Sequence, residues 1–270
     1  METKRYLLSF VLLVCLMVPG SVQSKSMIPY QAYYTLELSD MPDGVQPIVG
    51  IRGVVKVNHE QTCQGWTIFE MLRMEVTARS GAVFVQKLQF SGLESLDGKK
   101  LRFTANGKGP SADVNTLGRA TIRTTGGEAR FRRPHGTNVS LPENTRFPIH
   151  LTNWIVEQAE SGVTHIKSYA FDGTDPTGPE LFSIIVKNRV HYRPSATLAS
   201  GSGLVRPGWN IRLTAFSSAN GKLTPEYAYD AIILENGVLV DAELDFSEFR
   251  VRQTLRSFKT LPVPNCPEQK

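Results

Sequence analysis

Two cysteines are the residues of this sequence whose chemistry is easiest to define. The chain has three cysteines, and Cys15 lies in an N-terminal apolar run that we expect to be removed, which leaves Cys63 and Cys266. Neither is part of a CxxC motif, so the pattern does not indicate catalytic thiol chemistry. Two thiols in an oxidising compartment are expected to form a disulfide, and two separately buried thiols are the alternative.

The serines and histidines do not occur in a known catalytic or metal-binding spacing. Neither Ser200 nor Ser202 stands in a GxSxG motif, and the sequence contains no HExxH and no phosphate-binding GxxxxGK[ST]. We therefore predict that the protein is not an enzyme and that it has no catalytic residues, no metal and no cofactor. The alternative is a hydrolase whose residues converge only in the folded chain.

Several carboxylates could act together only if the fold brought them to a partner. Glu94 and Asp97 are near each other in sequence, and residues 172–175 (DGTD) could offer oxygens to calcium but lack the twelve-residue calcium-loop pattern, which favours a plain turn. A third group alternates along a predicted strand and is interpreted as a solvated outer face: Asp241, Glu243 and Asp245.

A cluster of arginines is the best candidate for an anion-binding patch. The cluster lies in a glycine-rich stretch, and a solubilising surface is the alternative interpretation. Its members are Arg119, Arg123, Arg130, Arg132 and Arg133.

The N-terminus indicates export. Lys4 and Arg5 precede an apolar run over residues 6–18, which Pro19 and Gly20 interrupt. This pattern is typical of a secretory signal peptide, here residues 1–24, with a retained anchor as the alternative. Residues 25–270 are then expected to form a single domain with no integral membrane segment.

The formal charge of +5 is mild for 270 residues, and loss of the leader lowers it by one. A nucleic-acid partner is not expected, because such proteins show a concentrated basic stripe and export would remove the target. Anionic partners such as lipid head groups stay open.

The segments that must position these residues are mostly short, and apolar and polar residues alternate within them. They are separated by Gly, Pro, Asn and Asp, which is typical of an antiparallel meander. Gly50 and Gly53 predict a bent or bulged strand. Asn236-Gly237 predicts a hairpin. The expected strands are 31–38, 48–57, 66–77, 83–90, 101–105, 120–124, 129–132, 165–171, 181–192, 211–216, 227–234, 238–246 and 249–261.

One segment changes period. Residues 148–161 place apolar side chains over a wide arc at helical spacing, with Pro148 at the start and Gly162 after the end. We expect a helix covered by protein on more than one side, with Leu151, Trp154 and Ile155 buried.

With these elements in order, the chain resembles the EipB (envelope integrity protein B) family of alphaproteobacterial periplasmic β-spiral proteins. The resemblance covers nearly all of residues 25–270. The residues that carry it are Gly50, Gly53, Cys63, Gly65 and Trp66; Glu94, Ser95, Asp97 and Gly98; Phe147 and Pro148; Phe171, Asp172 and Gly173; and Glu235, Asn236, Gly237, Val238, Phe246, Phe249, Leu261, Pro262 and Cys266.

The resemblance implies a mainly β fold: a long antiparallel sheet coiled into a spiral or open barrel, with one or more helices packed in its concavity. It implies a disulfide from an early strand to the C-terminus, a periplasmic location and a role in cell envelope integrity, and it brings no catalytic residues. We therefore expect a monomer that binds an envelope protein or an amphiphile. The alternative is a carrier that holds a lipid or lipoprotein acyl chain in the concave sheet.

Overall fold

The computed structural model describes residues 27–39, 47–109, 113–199, 203–217 and 225–267. The predicted signal peptide and the serines at 200 and 202 lie outside the described residues. The elements are β1 (Tyr30–Ser39), β2 (Ile48–Thr62), β3 (Gly65–Ala78), β4 (Val83–Ser95), β5 (Lys100–Lys108), β6 (Val114–Arg123), β7 (Gly126–Arg133), β8 (Asn138–Leu141), β9 (Thr145–Arg146), α1 (Pro148–Glu160), β10 (His165–Ala170), β11 (Glu180–Tyr192), α2 (Ala196–Ala199), β12 (Arg206–Ser217), β13 (Tyr227–Leu234), β14 (Leu239–Asp245) and β15 (Arg250–Thr260).

All fifteen strands of the described chain belong to one sheet, in the order β8-β7-β6-β5-β4-β3-β2-β1-β15-β14-β13-β12-β11-β10-β9. Every neighbouring pair is antiparallel except β9 and β10. The first strand, β1, pairs with the last strand, β15. The two edges of the sheet are therefore β8 and β9, which follow each other in the sequence. The result is a nearly closed, barrel-like sheet with one seam, in agreement with the predicted coiled antiparallel sheet.

Glycines let the longest strands bend. The register of β2 against β3 shifts between Ile48 and Gly50, as the sequence predicts. A Cβ atom at Gly53 would lie 2.8 Å from the carbonyl oxygen of Arg73, so only glycine allows this close approach of β2 to β3. The predicted hairpin at Asn236-Gly237 joins β13 to β14, with φ of 78° at Gly237.

The helix α1 begins at Pro148, as predicted, and ends at Glu160 with Ser161 as its C-cap. Its buried residues include Leu151 and Ile155, which pack on the inner face of β10 to β14 beside residues such as Ile184 and Trp209. No helix of the described ranges is long and apolar enough to cross a membrane.

Trp154 departs from the prediction that it is almost fully buried. It packs at the margin of this cluster and keeps partial exposure. The Arg146 guanidinium lies 3.5 Å from the centre of its ring. Arg146 belongs to β9, so at the seam the tryptophan is covered by a cation and not by a further strand.

The sequence did not indicate three short elements. The strands β8 and β9 at the seam are four and two residues long, and α2, which contacts β15, is one helical turn. Elements this short carry too little periodicity to recognise. Near the seam, Phe103, Phe131 and Phe171 form an aromatic cluster with edge-to-face contacts.

Candidate functional site

The concave side of the sheet contains a chamber of about 330 Å³. Its walls come from β1 to β4 on one side, β14 and β15 on another, and the loop between β10 and β11. We call this cavity the chamber. It is lined by Leu36, Val55, Glu70, Met71, Leu72, Met74, Gln86, Leu88, Phe90, Asp172, Thr174, Leu244, Phe246, Phe249, Val251 and Gln253.

Asp172 places a carboxylate in the chamber wall. Its Oδ1 accepts hydrogen bonds from the backbone N–H of Thr174 at 2.8 Å and from the Thr174 hydroxyl at 2.7 Å. These bonds hold the turn, and Gly173 within it has φ of 85° and touches Phe103. Burial raises the pKa of Asp172 above its usual value. The loop therefore forms a turn that these hydrogen bonds hold.

Glu180 extends the acidic side of the chamber. The Tyr227 hydroxyl donates a hydrogen bond of 3.1 Å to Glu180 Oε2. Burial, and after it the nearby Asp172 carboxylate, raises the pKa of Glu180 to about 7. The Tyr227 ring lies 6.3 Å from that of Phe246, which stacks on Phe249 at 5.0 Å in the chamber wall.

Glu70 is the second carboxylate of the wall, and it is paired with a histidine. His59 Nε2 lies 2.9 Å from Glu70 Oε1. The His59 side chain is 9% exposed and that of Glu70 is 45% exposed, so the pair reaches from the core into accessible space. His59 Nδ1 has no hydrogen-bond partner within the described chain. His59, the histidine that could act as a general base here, is thus bonded to a carboxylate and not to a hydroxyl or a thiol.

The outer surface of β5, β6 and β7 carries the predicted arginine patch. Arg119 stands directly opposite Arg130 on one side and directly opposite Arg102 on the other. All three are exposed, and Glu128 pairs with Arg130 at 2.8 Å. We call Arg102, Arg119 and Arg130 the first basic row. The sequence did not predict Arg102 as part of this patch, because its place opposite Arg119 depends on the register between β5 and β6.

The remaining predicted arginines lie close to this row. Arg123 shares a polar depression of about 620 Å³ with the row, together with Lys100. Arg132 lines a second depression of about 630 Å³ on the other side of the same three arginines. Arg133 is exposed at the end of β7.

A second basic row crosses β3, β4 and β5. Lys87 stands directly opposite both Arg73 and Lys108, and all three side chains are exposed. We call Arg73, Lys87 and Lys108 the second basic row. The distance between the rows can be counted along β4, where Lys87 belongs to the second row and Leu93 stands opposite Arg102 of the first row. These two residues are six positions apart, so the rows lie roughly 20 Å apart at ~3.3 Å per residue. The two rows together are the basic face.

Cys63 and Cys266 form the predicted disulfide, with their Cα atoms 5.5 Å apart. The bridge joins the turn between β2 and β3 to the C-terminal segment after β15. Within the described ranges, no three His, Cys, Asp or Glu side chains are grouped so that they could hold a metal ion.

Comparisons with known proteins show a family match in sequence and a similar fold in a solved structure. A family model described as EipB-like matches residues 21–262. A crystal structure of a β-barrel-like protein of a domain of unknown function from Brucella abortus is similar, with a TM-score of 0.77. Its sequence is 20% identical, and the match covers 88% of this chain and 99% of that chain. No curated protein matches the sequence.

Proposed function

The chain belongs to the EipB-like family, and we propose that it is a non-enzymatic periplasmic protein that contributes to cell envelope integrity by binding an envelope component. We assign the binding surface to the basic face. The component that this face fits is a lipid surface that carries phosphate, because arginine and lysine bind phosphate through charge-assisted hydrogen bonds.

The first basic row is the observation that carries this proposal. Like charges directly opposite each other on neighbouring strands destabilise a sheet. Here Arg119 has an arginine on both sides, and Glu128 is the single carboxylate partner that the described residues give to the row. Such an arrangement is unfavourable in the isolated protein and becomes favourable when anions lie against it.

Another part of the outer surface provides a contrast. The outward arginines of β15 pair with carboxylates: Arg250 with Asp245 at 3.2 Å and Arg256 with Glu37 at 3.5 Å. Arg252 lies 4.0 Å from Glu243. The cations of β15 therefore have carboxylate partners, whereas in the basic face Glu128 pairs with Arg130 and the described residues give no such partner to the other five cations.

Two features support the location and the non-enzymatic role. The disulfide between Cys63 and Cys266 fits an oxidising compartment, as does the predicted signal peptide. In the interior, the one histidine of the chamber region, His59, is bonded to Glu70 and to no nucleophile among the described side chains. A base without a nucleophile fits binding better than acyl transfer.

Co-sedimentation with lipid vesicles tests the proposal. We expect the protein to bind vesicles that contain phosphatidylglycerol and to bind vesicles of phosphatidylcholine at least tenfold less. The phosphate of phosphatidylglycerol gives the vesicle a net negative charge, whereas the choline cation balances the phosphate of phosphatidylcholine. The variant Arg102→Gln/Arg119→Gln/Arg130→Gln should lose most of the binding.

The matched control is Arg250→Gln/Arg252→Gln/Arg256→Gln, which removes the same charge from the arginines of β15 that already have acidic partners. It should retain binding. Equal loss in both variants would show that only net charge matters, and equal binding to both vesicle types would refute the basic face as the binding surface.

The chamber favours a second candidate function, a carrier that holds an acyl chain of a lipid or lipoprotein in the concave sheet. Ligand sites are concave and mostly apolar, with a few polar groups, and the wall of the chamber has this composition. Native mass spectrometry of the protein isolated from its own cells would test this function by showing a retained amphiphile.

A further inference from the structure

We propose that the chamber binds a single-chain amphiphile whose head group is a cation, such as an alkylammonium ion. This inference rests on the second candidate function, the carrier, and names the chemical class of its ligand. It is independent of the basic face, which lies on the opposite surface of the sheet.

The wall of the chamber defines the apolar part of the ligand. Side chains such as Leu36, Met74, Leu88 and Val251 supply carbon atoms from four different strands. The volume of about 330 Å³ lies at the low end of the range for small-molecule sites, ~300 to 1,000 Å³. This is enough for one aliphatic chain of moderate length and too little for a complete lipid with two chains.

The polar groups of the wall define the head. Asp172 and Glu70 are its two carboxylates, and no lysine or arginine is among the described residues that line the chamber. A carboxylate or phosphate head would therefore lie beside like charges in a partly desolvated space, where repulsion is stronger than in water. A protonated amine would have opposite charges and acceptors within reach.

The surroundings of Asp172 point in the same direction. In its turn, Asp172 accepts the two hydrogen bonds from Thr174 through Oδ1. Glu180, behind it, adds a further carboxylate that Tyr227 orients. Burial raises the pKa of Asp172, which means that the carboxylate anion is disfavoured without a counter-charge and that a cationic head group beside it would offset this cost.

Aromatic side chains add a second attraction for a cation. Phe246 and Phe249 stack with their rings 5.0 Å apart, and both line the chamber. The face of an aromatic ring attracts a cation through its quadrupole. The chamber thus combines carboxylates, aromatic faces and an aliphatic wall, which is the composition expected for an alkylammonium ligand.

Three probes with the same chain length separate the contributions of head and chain: decylamine, decanol and decanoic acid. Isothermal titration calorimetry with the intact disulfide-bonded protein at neutral pH measures each affinity. We expect decylammonium to bind at least tenfold more tightly than decanol, and decanoate to bind most weakly, because only the charge of the head differs.

Two conservative variants test the carboxylates separately. Asp172→Asn keeps an Oδ1 acceptor for Thr174, and Glu70→Gln keeps an acceptor for His59. Each should reduce the preference for decylammonium over decanol about threefold to tenfold while decanol affinity stays within twofold. The matched control is Glu75→Gln, an exposed residue of the same strand as Glu70, which should leave all three affinities unchanged.

The outcomes separate this inference from the carrier function. If decanoate or decanol binds as tightly as decylammonium, the cationic head is refuted and the carrier function stands. If none of the probes binds, both are refuted. If the amine preference is present but survives in both carboxylate variants, the chamber is not its origin and the inference is overturned.

Discussion

Glu94 Oε2 accepts a hydrogen bond of 2.8 Å from the backbone N–H of Ile149, the second residue of α1. Oε1 of the same carboxylate accepts from the backbone N–H of His150 at 2.9 Å. Glu94 is fully buried near the end of β4, and the N-cap residue Phe147 supplies no side-chain bond. A distant strand therefore caps the helix, and the negative charge lies at the positive end of the helix dipole.

Replacement of Glu94 should destabilise the whole sheet and not the helix alone, because the bond links β4 to α1. We expect Glu94→Ala to lower the free energy of unfolding by about 2 to 4 kcal/mol and Glu94→Gln by about half of that, since the amide keeps one acceptor. Urea unfolding measures both. Asp97→Asn, in the exposed turn that follows, is the control and should change stability by less than about 1 kcal/mol; a similar loss there would contradict the capping role.

A second prediction concerns the two sides of α1. Ile155 is 5% exposed, and Ile155→Ala should destabilise the protein by about 2 to 5 kcal/mol. Trp154→Ala should cost only about 1 to 2 kcal/mol, because part of its ring is exposed and the rest is covered by Arg146.

A double-mutant cycle between Arg146→Ala and Trp154→Ala should give a coupling of about 0.5 to 2 kcal/mol. The thermal melting of the four proteins supplies the data. A Trp154→Ala variant less stable than Ile155→Ala, or a coupling of zero, would contradict the arrangement at the seam.

Stability should depend on pH through Glu180. The pKa of this residue is raised from 4.5 to about 7 in the folded chain, so between these values the folded state holds a proton that the unfolded state has released. The free energy of unfolding therefore falls as pH rises through this window, and the loss is complete above about pH 7.

Glu180→Gln imitates the protonated form and removes this dependence. At about pH 8 the variant should be more stable than the parent by about 1 to 3 kcal/mol, and near pH 4 the two should be alike. Thermal melting across this range is the measurement, with Glu75→Gln as the exposed control. Parallel pH profiles for the parent and Glu180→Gln would show that Glu180 titrates normally.

The disulfide should matter for stability. It closes a loop of 203 residues, and chain-entropy scaling gives at most about 5 kcal/mol for a loop of this length. We expect Cys63→Ser and Cys266→Ser to have equally lowered melting temperatures, because each removes the same bridge. Single variants as stable as the parent, or two free thiols in protein freshly isolated from its compartment, would contradict a stabilising bridge.

The sequence predicts the parts of this fold that depend on local pattern. The alternation of apolar and polar residues predicts most of the strands, and Asn236-Gly237 predicts a hairpin. Pro148 and Gly162 predict the start of the helix correctly and its end to within one residue. Gly50 marks the register shift, in keeping with the frequent use of glycine at bulges within strands. The two cysteines could be paired because compartment and number left few alternatives.

Long-range pairing accounts for what the sequence did not predict. The opposition of Arg102 to Arg119 depends on the register between two strands, and the cap that Glu94 gives to Ile149 joins residues 55 positions apart. The chamber arises only when the β10–β11 turn meets β3 and β15. The chemistry of such sites is set by neighbours in space, which a single sequence does not show.

The central claim is that the basic face meets an envelope component, and site-specific photo-crosslinking in intact cells tests it most directly. A photoreactive residue at Thr121, exposed in β6 beside the first basic row, should become attached to phosphate-bearing lipid. The same residue at Thr254, half-buried in β15 between Arg252 and Arg256, should give at least tenfold less of this product, because the arginines there have carboxylate partners. Equal labelling at both positions, or attachment at Thr121 to protein alone, would contradict the account.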